Sequence, residues 1–216
     1  MSDSDLVKIF AFLDITNKLK FEIRFSSKAD SAKRDSSAAH SWHLALLAWM
    51  IADWLIADGM KLDVLKILKL VIVHDIPELA VGDTPFNEVC IAGGVDSVAG
   101  KDKKAREIDA MEKLSAMLPE SVGAEMLELY KDYDAAESVE AKLVNILDKL
   151  EAAHQAMFMG IGTGLPDIDP CVLHSNKGYG WVPEFDKLIE HVREELRANF
   201  AELGLPWKSE YELKKS

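Results

Sequence analysis

The sequence predicts an all-α, single-domain helical bundle, and three observations support this. Apolar residues recur at helical spacing along most of the 216-residue chain, and no run shows sustained two-residue alternation of β-branched residues. Gly and Pro are concentrated between the helical runs. A hydrophobic fraction of 49% is enough for one globular core and excludes a mainly disordered chain. We expect one domain over residues 1–216.

The predicted helices are placed by apolar periodicity and by the residues that cap or end them. They span about residues 6–19, 37–58, 64–73, 102–118, 121–133, 138–160 and 183–203. Asp63 caps the third helix, which ends near His74 because Pro77 disfavours helical angles at the residue before it. Residues 79–100 and 160–183, rich in Gly and Pro, are expected to be irregular.

The second predicted helix is apolar on two faces, which favours a place in the middle of the bundle. Counting from His40, one face carries Leu44, Leu47, Ile51 and Trp54, and the other carries Trp42, Leu46 and Trp49. We therefore expect the three tryptophans to be core residues rather than a platform for stacking a base.

The charge balance restricts the choice of partners. The chain has 25 Lys and Arg against 37 Asp and Glu, a net charge of −12. Such a surface repels polyphosphate, so we expect no nucleic-acid polymer as partner. Binding of a small anionic substrate stays possible, because six basic residues cluster before His40. They are Lys18, Lys20, Arg24, Lys28, Lys33 and Arg34.

Cysteine usage and hydropathy indicate a cytoplasmic protein. Cys90 and Cys171 form no CxxC pair and no disulfide framework. The N-terminus is acidic, unlike a signal peptide, and the longest apolar run, residues 44–52, is too short to span a membrane.

Four side chains carry candidate metal chemistry: His40, the adjacent His74 and Asp75, and Asp148. A buried imidazole is costly unless both nitrogens find partners. Asp148 shares its helix face with small residues, so its carboxylate is either solvated or lines a cavity. Two imidazoles and two carboxylates suit a divalent first-row metal with open positions for water. Spacing alone leaves a structural histidine and a turn-forming aspartate as alternatives.

The order His40, His74-Asp75, Asp148 on helices resembles the HD-domain metal-dependent phosphohydrolases. Within them it is similar to the bacterial 5′-deoxynucleotidase group and its eukaryotic HD-domain relatives. Three segments carry the resemblance, residues 34–42, 73–85 and 137–151, within a metal-site core of about residues 20–155. The segment at about 183–203 is then a C-terminal helical part packing on that core.

The resemblance implies a metal site. His40, His74, Asp75 and Asp148 would hold a divalent ion, which could be Mn, Co, Mg, Zn, Fe or Ni. Relatives commonly have an acidic residue directly before the first His, where this chain has Ala39. Since that residue is not a ligand, the change affects the groups around the metal ligands rather than metal binding itself. His43 varies among relatives, which favours a packed or surface role.

The resemblance also implies roles for residues around the metal. Glu78 would act at the reacting phosphate, and Asp83 would contact the substrate and assist proton transfer. Arg34 and Arg24 stand where relatives carry an Arg, and a planar guanidinium binds phosphate through two hydrogen bonds. The implied activity is removal of the 5′-phosphate from a nucleoside or deoxynucleoside monophosphate by metal-activated water. A homodimer is a further expectation, because the family often forms dimers.

Two other functions remain open on the sequence alone. The same metal site could act on another phosphoester, such as a phosphodiester, a nucleotide sugar or a modified nucleotide, because the pocket walls decide the substrate. A helical binding protein without turnover is the second alternative. Retention of so many charged residues at one site argues against it.

Overall fold

The computed structural model describes residues 2–22, 35–81, 98–159 and 169–213, and in these ranges the chain is helical without a β-strand, as predicted. The α-helices are α1 Asp3–Thr16, α2 Ser37–Ala57, α3 Val64–Val73, α4 Glu78–Val81, α5 Val98–Ser115, α6 Glu120–Ala135, α7 Val139–Met159, α8 Asp169–Ser175 and α9 Pro183–Glu202. Short 3-10 helices cover Asn17–Lys20 and Ser209–Tyr211. No helix in the described ranges is long and apolar enough to cross a membrane.

Local capping explains where α2 and α3 begin and end. The Ser36 hydroxyl accepts the Ala39 N–H at the start of α2. Gly59, with φ of 101°, turns the chain after α2, a conformation that disfavours residues with a Cβ. The Asp63 carboxylate accepts the Lys66 N–H at 3.0 Å, and α3 then runs to Val73 as predicted.

The main core lies between α2, α3, α7 and α9. On α2 its buried positions include Leu44, Ala48, Ala52 and Leu55. The two alanines lie four residues apart and are fully buried on α2, which contacts both α3 and α7, and small side chains allow close packing of helices. This core fixes the relative positions of α2, α3 and α7, the three helices that carry the candidate metal ligands.

The prediction that the α2 tryptophans are core residues is wrong. Trp42, Trp49 and Trp54 are 68%, 51% and 47% exposed. Because α3 and α7 pack on the buried side of α2, its second apolar face, which carries Trp42 and Trp49, points away from them, and Trp54 of the first face is exposed as well. A sequence apolar on both faces does not reveal which face is packed.

Two segments expected to be irregular contain helix. Residues 169–175, within the predicted irregular segment 160–183, form α8, whose Val172 is fully buried beside α9. α5 begins at Val98, before the predicted start at 102. In both cases a helix begins near Gly or Pro, where the periodic signal is too short to be read.

Glu107 of α5 is expected to make the protein less stable as pH rises. Burial raises the pKa of its carboxyl group, although the nearby Lys103 opposes this. The folded state therefore binds more protons than the unfolded state, so the free energy of unfolding falls as pH rises from the unfolded pKa through the raised folded pKa. Glu107→Gln should be more stable than the wild type at neutral pH, with the difference shrinking toward acid pH.

Thermal denaturation at a series of pH values measures this effect. Glu128→Gln, at an exposed position of α6, is the matched control and should have the stability of the wild type at neutral pH. A Glu107→Gln protein that is less stable than the wild type at pH 7 would contradict the expectation.

Candidate metal centre

The candidate ligands come from three helices. His40 lies in the first turns of α2, His74 and Asp75 follow the last residue of α3, and Asp148 lies in the middle of α7. All four side chains are buried. One potential ligand atom each from His40, His74 and Asp75 lie within 4.8 Å of one another.

Asp148 lies on the same side as the two imidazoles. Its Oδ1 is 3.1 Å from His40 Nε2 and 4.0 Å from His74 Nε2. The structure therefore brings together all four residues that the sequence analysis selected as metal ligands. Of the two positions that the sequence left open for the Asp148 carboxylate, solvated or lining a cavity, burial excludes the first.

His74 has one ring nitrogen hydrogen-bonded and one unsatisfied. Its Nδ1 donates to the carbonyl oxygen of Val71 at 2.7 Å. Burial, opposed by Asp75 and Asp148, lowers the pKa of His74, which favours the neutral ring with its lone pair on Nε2. Nε2 is buried and has no hydrogen-bond partner, although Asp75 Oδ1 lies 3.0 Å away. A buried nitrogen lone pair turned toward carboxylates is the state of an imidazole prepared to bind a metal.

His40 is oriented by a carboxylate on its outer side. Glu151 Oε2 lies 2.5 Å from His40 Nδ1, and Glu151 is itself buried. A carboxylate in this place accepts the Nδ1 proton and directs the Nε2 lone pair inward, toward His74 and Asp148. The two ring centroids are 5.5 Å apart. Both histidines therefore present Nε2 to the same space.

The outer oxygen of Asp148 is occupied by other partners. Its Oδ2 accepts the Tyr133 hydroxyl at 2.8 Å and forms an ion pair with the Lys149 ammonium group. Burial alone would raise the pKa of Asp148, but the charge of Lys149 lowers it well below its usual range. The carboxylate is thus ionised, with Oδ1 on the side of the imidazoles.

The donor set fits a divalent cation. With Nδ1 of each ring donating outward, the lone pair of each Nε2 faces a carboxylate oxygen at 3.0–3.1 Å. Two acceptors at this separation repel each other unless a proton or a cation lies between them. A divalent ion bound by two imidazoles and two carboxylates removes this repulsion at both histidines.

Glu78 is held at the edge of this site. It begins α4 directly after the turn that carries His74 and Asp75, and its Oε2 accepts the hydroxyl of the buried Ser37 at 2.6 Å. Ser37 is the first residue of α2, one turn before His40. The same helix start thus positions both a candidate ligand and a candidate acid–base group.

Three predicted site residues, Arg24, Arg34 and Asp83, lie outside the described residues. Their assignment to phosphate binding and proton transfer therefore stays a prediction.

Sequence reasoning missed Glu151 and Tyr133. Glu151 also accepts from His43 Nδ1 at 2.7 Å, which gives the half-exposed His43 a hydrogen-bonded surface position, in keeping with its expected role. The available signal for Glu151 was a carboxylate one helical turn after Asp148, among apolar neighbours. Tyr133 carried no comparable signal, because its contact with Asp148 depends on how α6 and α7 pack.

Comparison with known proteins agrees with this geometry. A family model described as HD domain matches residues 16–163. The chain belongs to the HD domain family. The family resemblance predicted from the motifs is thereby confirmed.

Relatives of this HD domain protein include proteins that are named 5′-deoxynucleotidases. It is 30% identical over 169 residues to the 5′-deoxynucleotidase HDDC2 of Bos taurus, covering 78% of this chain and 76% of the other. The enzyme of the same name from Danio rerio is 28% identical, covering 89% and 90%. The crystal structure of a predicted metal-dependent phosphohydrolase from Magnetospirillum magnetotacticum superimposes with a TM-score of 0.70 and 25% identity, covering 95% of this chain and 97% of the other.

Proposed function

We propose that this HD domain protein is a metal-dependent phosphohydrolase that removes the 5′-phosphate from nucleoside monophosphates, including deoxynucleotides. The observation that carries the proposal is the convergence of His40, His74 and Asp148, with the buried His74 Nε2 lacking a hydrogen-bond partner. The names of the nucleotidase relatives support the choice of substrate.

We assign His40, His74, Asp75 and Asp148 to the metal. Imidazole with carboxylate favours Mn²⁺, Co²⁺ or a similar first-row ion over Mg²⁺, which prefers oxygen ligands. When bound, such an ion lowers the pKa of a coordinated water and offsets the charge of the phosphoryl group. Outer contacts from Glu151, Val71 and Tyr133 orient three of the ligands, His40, His74 and Asp148 respectively.

The remaining roles fall to residues around the metal. Glu78, oriented by the Ser37 hydroxyl, is placed to hold or move a proton of the attacking water. Arg34 and Arg24 would bind non-bridging phosphate oxygens, and Asp83 would orient the substrate and assist proton transfer. A cytoplasmic location and a homodimer remain predictions.

Phosphate release from a substrate panel tests this function. The purified protein, loaded with Mn²⁺, should hydrolyse nucleoside and deoxynucleoside 5′-monophosphates, lose activity on chelation and regain it when the metal is restored. The panel also contains 3′-monophosphates, a phosphodiester and a nucleotide sugar. Preference for one of these would replace the proposed substrate with the alternative phosphoester.

Glu78→Gln is the informative variant in the same assay. It should lower kcat by about 10²- to 10⁴-fold, the usual contribution of a general acid or base, while metal content is retained. Glu128→Gln, at the exposed α6 position, serves again as the matched control and should match the wild type. An unchanged kcat in Glu78→Gln would remove Glu78 from the reaction.

A further inference from the structure

Two lysines from different segments contact α7 at or near Asp148, in a chain whose net charge is −12. Lys149 follows Asp148 on α7 and forms an ion pair with its Oδ2, with only 16% of the Lys149 side chain exposed. Lys177 lies in the turn after α8, and its ammonium group donates to Asn145 Oδ1 at 3.1 Å. Asn145 lies one helical turn before Asp148, so both ammonium groups lie along the same stretch of α7.

Close packing holds the Lys177 turn against α7. Gly178 has φ of 85°, a conformation that residues with a Cβ rarely adopt. A Cβ at this position would lie 2.6 Å from Cγ1 of Ile146. The turn therefore approaches α7 more closely than another residue type would allow, and Lys177 is placed beside Asn145 by the backbone rather than by its own flexibility.

The two ammonium groups repel each other. The pKa of Lys177 is lowered to about 8, first by burial of the ammonium group and next by the charge of Lys149. Burial and then Lys149 also hold the pKa of His174 well below its usual range, so this imidazole is neutral. The nearby Asp134 is paired with Lys104 at 3.0 Å. Among the contacts of the described residues, the carboxylate that pairs with Lys149 is that of Asp148.

Metal binding changes this balance. Once a cation takes up the charge of the Asp148 carboxylate, Lys149 and Lys177 retain positive charge at the side of the site with less to offset it. Lysine ammonium groups bind phosphate oxygens as compact point charges with several donors. An anion beside the metal would relieve the repulsion between them.

We propose that Lys149 and Lys177 form a cationic wall beside Asp148 that binds the phosphate group of the substrate, a phosphate monoester dianion. The proposal rests on the proposed function, because it adds phosphate-binding residues to the same site. Lys177 touches no assigned metal ligand in the contacts described above, which makes it the informative position. Lys149 also contacts Asp148, so its removal would weaken metal and phosphate binding together.

The test compares Lys177→Met, Lys177→Arg and the control Lys113→Met in the Mn²⁺-loaded protein. Lys113 lies on α5 with 74% of its side chain exposed, paired with Asp109. Three quantities are measured: KM for the nucleoside monophosphate, inhibition by inorganic phosphate, and inhibition by the phosphate-free nucleoside. Metal content is determined for each variant.

Lys177→Met should raise KM for the nucleoside monophosphate and the inhibition constant of inorganic phosphate by about 10- to 100-fold. This is the range for losing a hydrogen bond to a charged group. Inhibition by the nucleoside and the metal content should not change. Lys177→Arg should restore part of the phosphate affinity, and Lys113→Met should match the wild type.

Three results would overturn the proposal. Unchanged phosphate inhibition in Lys177→Met, with a working wild type, would refute the cationic wall and leave the proposed function intact. If Lys177→Met weakened inhibition by the nucleoside but not inhibition by inorganic phosphate, Lys177 would lie against the sugar or base instead. A metal-loaded wild type that hydrolyses no nucleotide would refute the function and this inference together.

Discussion

Asp148→Asn is expected to abolish metal binding and with it phosphohydrolase activity. The substitution keeps the size of the side chain but removes the charge of the oxygen that lies 3.1 Å from His40 Nε2 and 4.0 Å from His74 Nε2. The loss in metal affinity should exceed the about 10- to 100-fold that follows from removing an outer hydrogen-bond partner, because Asp148 is assigned as a ligand itself. Isothermal titration with Mn²⁺ and elemental analysis of the purified protein measure it.

The metal-free Asp148→Asn protein should also be less stable than the metal-free wild type. Lys149 is 16% exposed and would lose its carboxylate partner, and an unpaired buried charge is destabilising. Circular dichroism shows whether the variant remains folded. Asp109→Asn, on the exposed surface of α5, is the matched control and should bind metal as the wild type does. Full metal stoichiometry and wild-type affinity in Asp148→Asn would contradict the assignment.

Glu151→Gln is expected to lower metal affinity by about 10- to 100-fold without removing a ligand. The carboxylate accepts from His40 Nδ1 at 2.5 Å, which keeps the Nε2 lone pair on the side of the metal. A glutamine amide can turn its NH₂ group toward Nδ1 instead, and this favours the other tautomer of the ring. Metal titration is the primary measurement. At saturating metal, kcat should fall much less than the metal affinity does.

His43→Gln separates the orienting role of Glu151 from its general packing role. His43 contacts the other oxygen of Glu151 at 2.7 Å, and 44% of its side chain is exposed. Removing this contact leaves the bond between Glu151 and His40 in place, so the metal affinity should change little. Equal losses in the two variants would show that Glu151 acts by holding α2 and α7 together, not by fixing the His40 tautomer.

Helix positions were predictable where the determining residues are local. The Asp63 cap and Pro77 set the limits of α3 within their own few residues, and the helix runs from Val64 to Val73 as expected. α8 was not predictable in this way, because seven residues give too little periodicity and the burial of Val172 depends on α9. The packed face of α2 was equally undetermined, since which neighbours reach Ala48 and Ala52 is a property of the whole bundle.

The candidate site was predictable in its residue types but not in its geometry. The motif order identified His40, His74, Asp75 and Asp148 through family resemblance, whereas helical periodicity alone left Asp148 either solvated or lining a cavity. The contact of Asp148 with His40 joins residues 108 positions apart, and only tertiary packing brings them together. For the same reason, the outer contacts of the ligands became visible only in the folded chain.

Anomalous diffraction from crystals of the Mn²⁺-loaded protein tests the central claim most directly. We expect one strong anomalous peak held by Nε2 of His40 and His74 and by oxygens of Asp75 and Asp148. Asp35, His40 and Glu151 also bring potential ligand atoms within 4.8 Å of one another. A peak held by that second group, or one that Asp148 does not touch, would contradict the account.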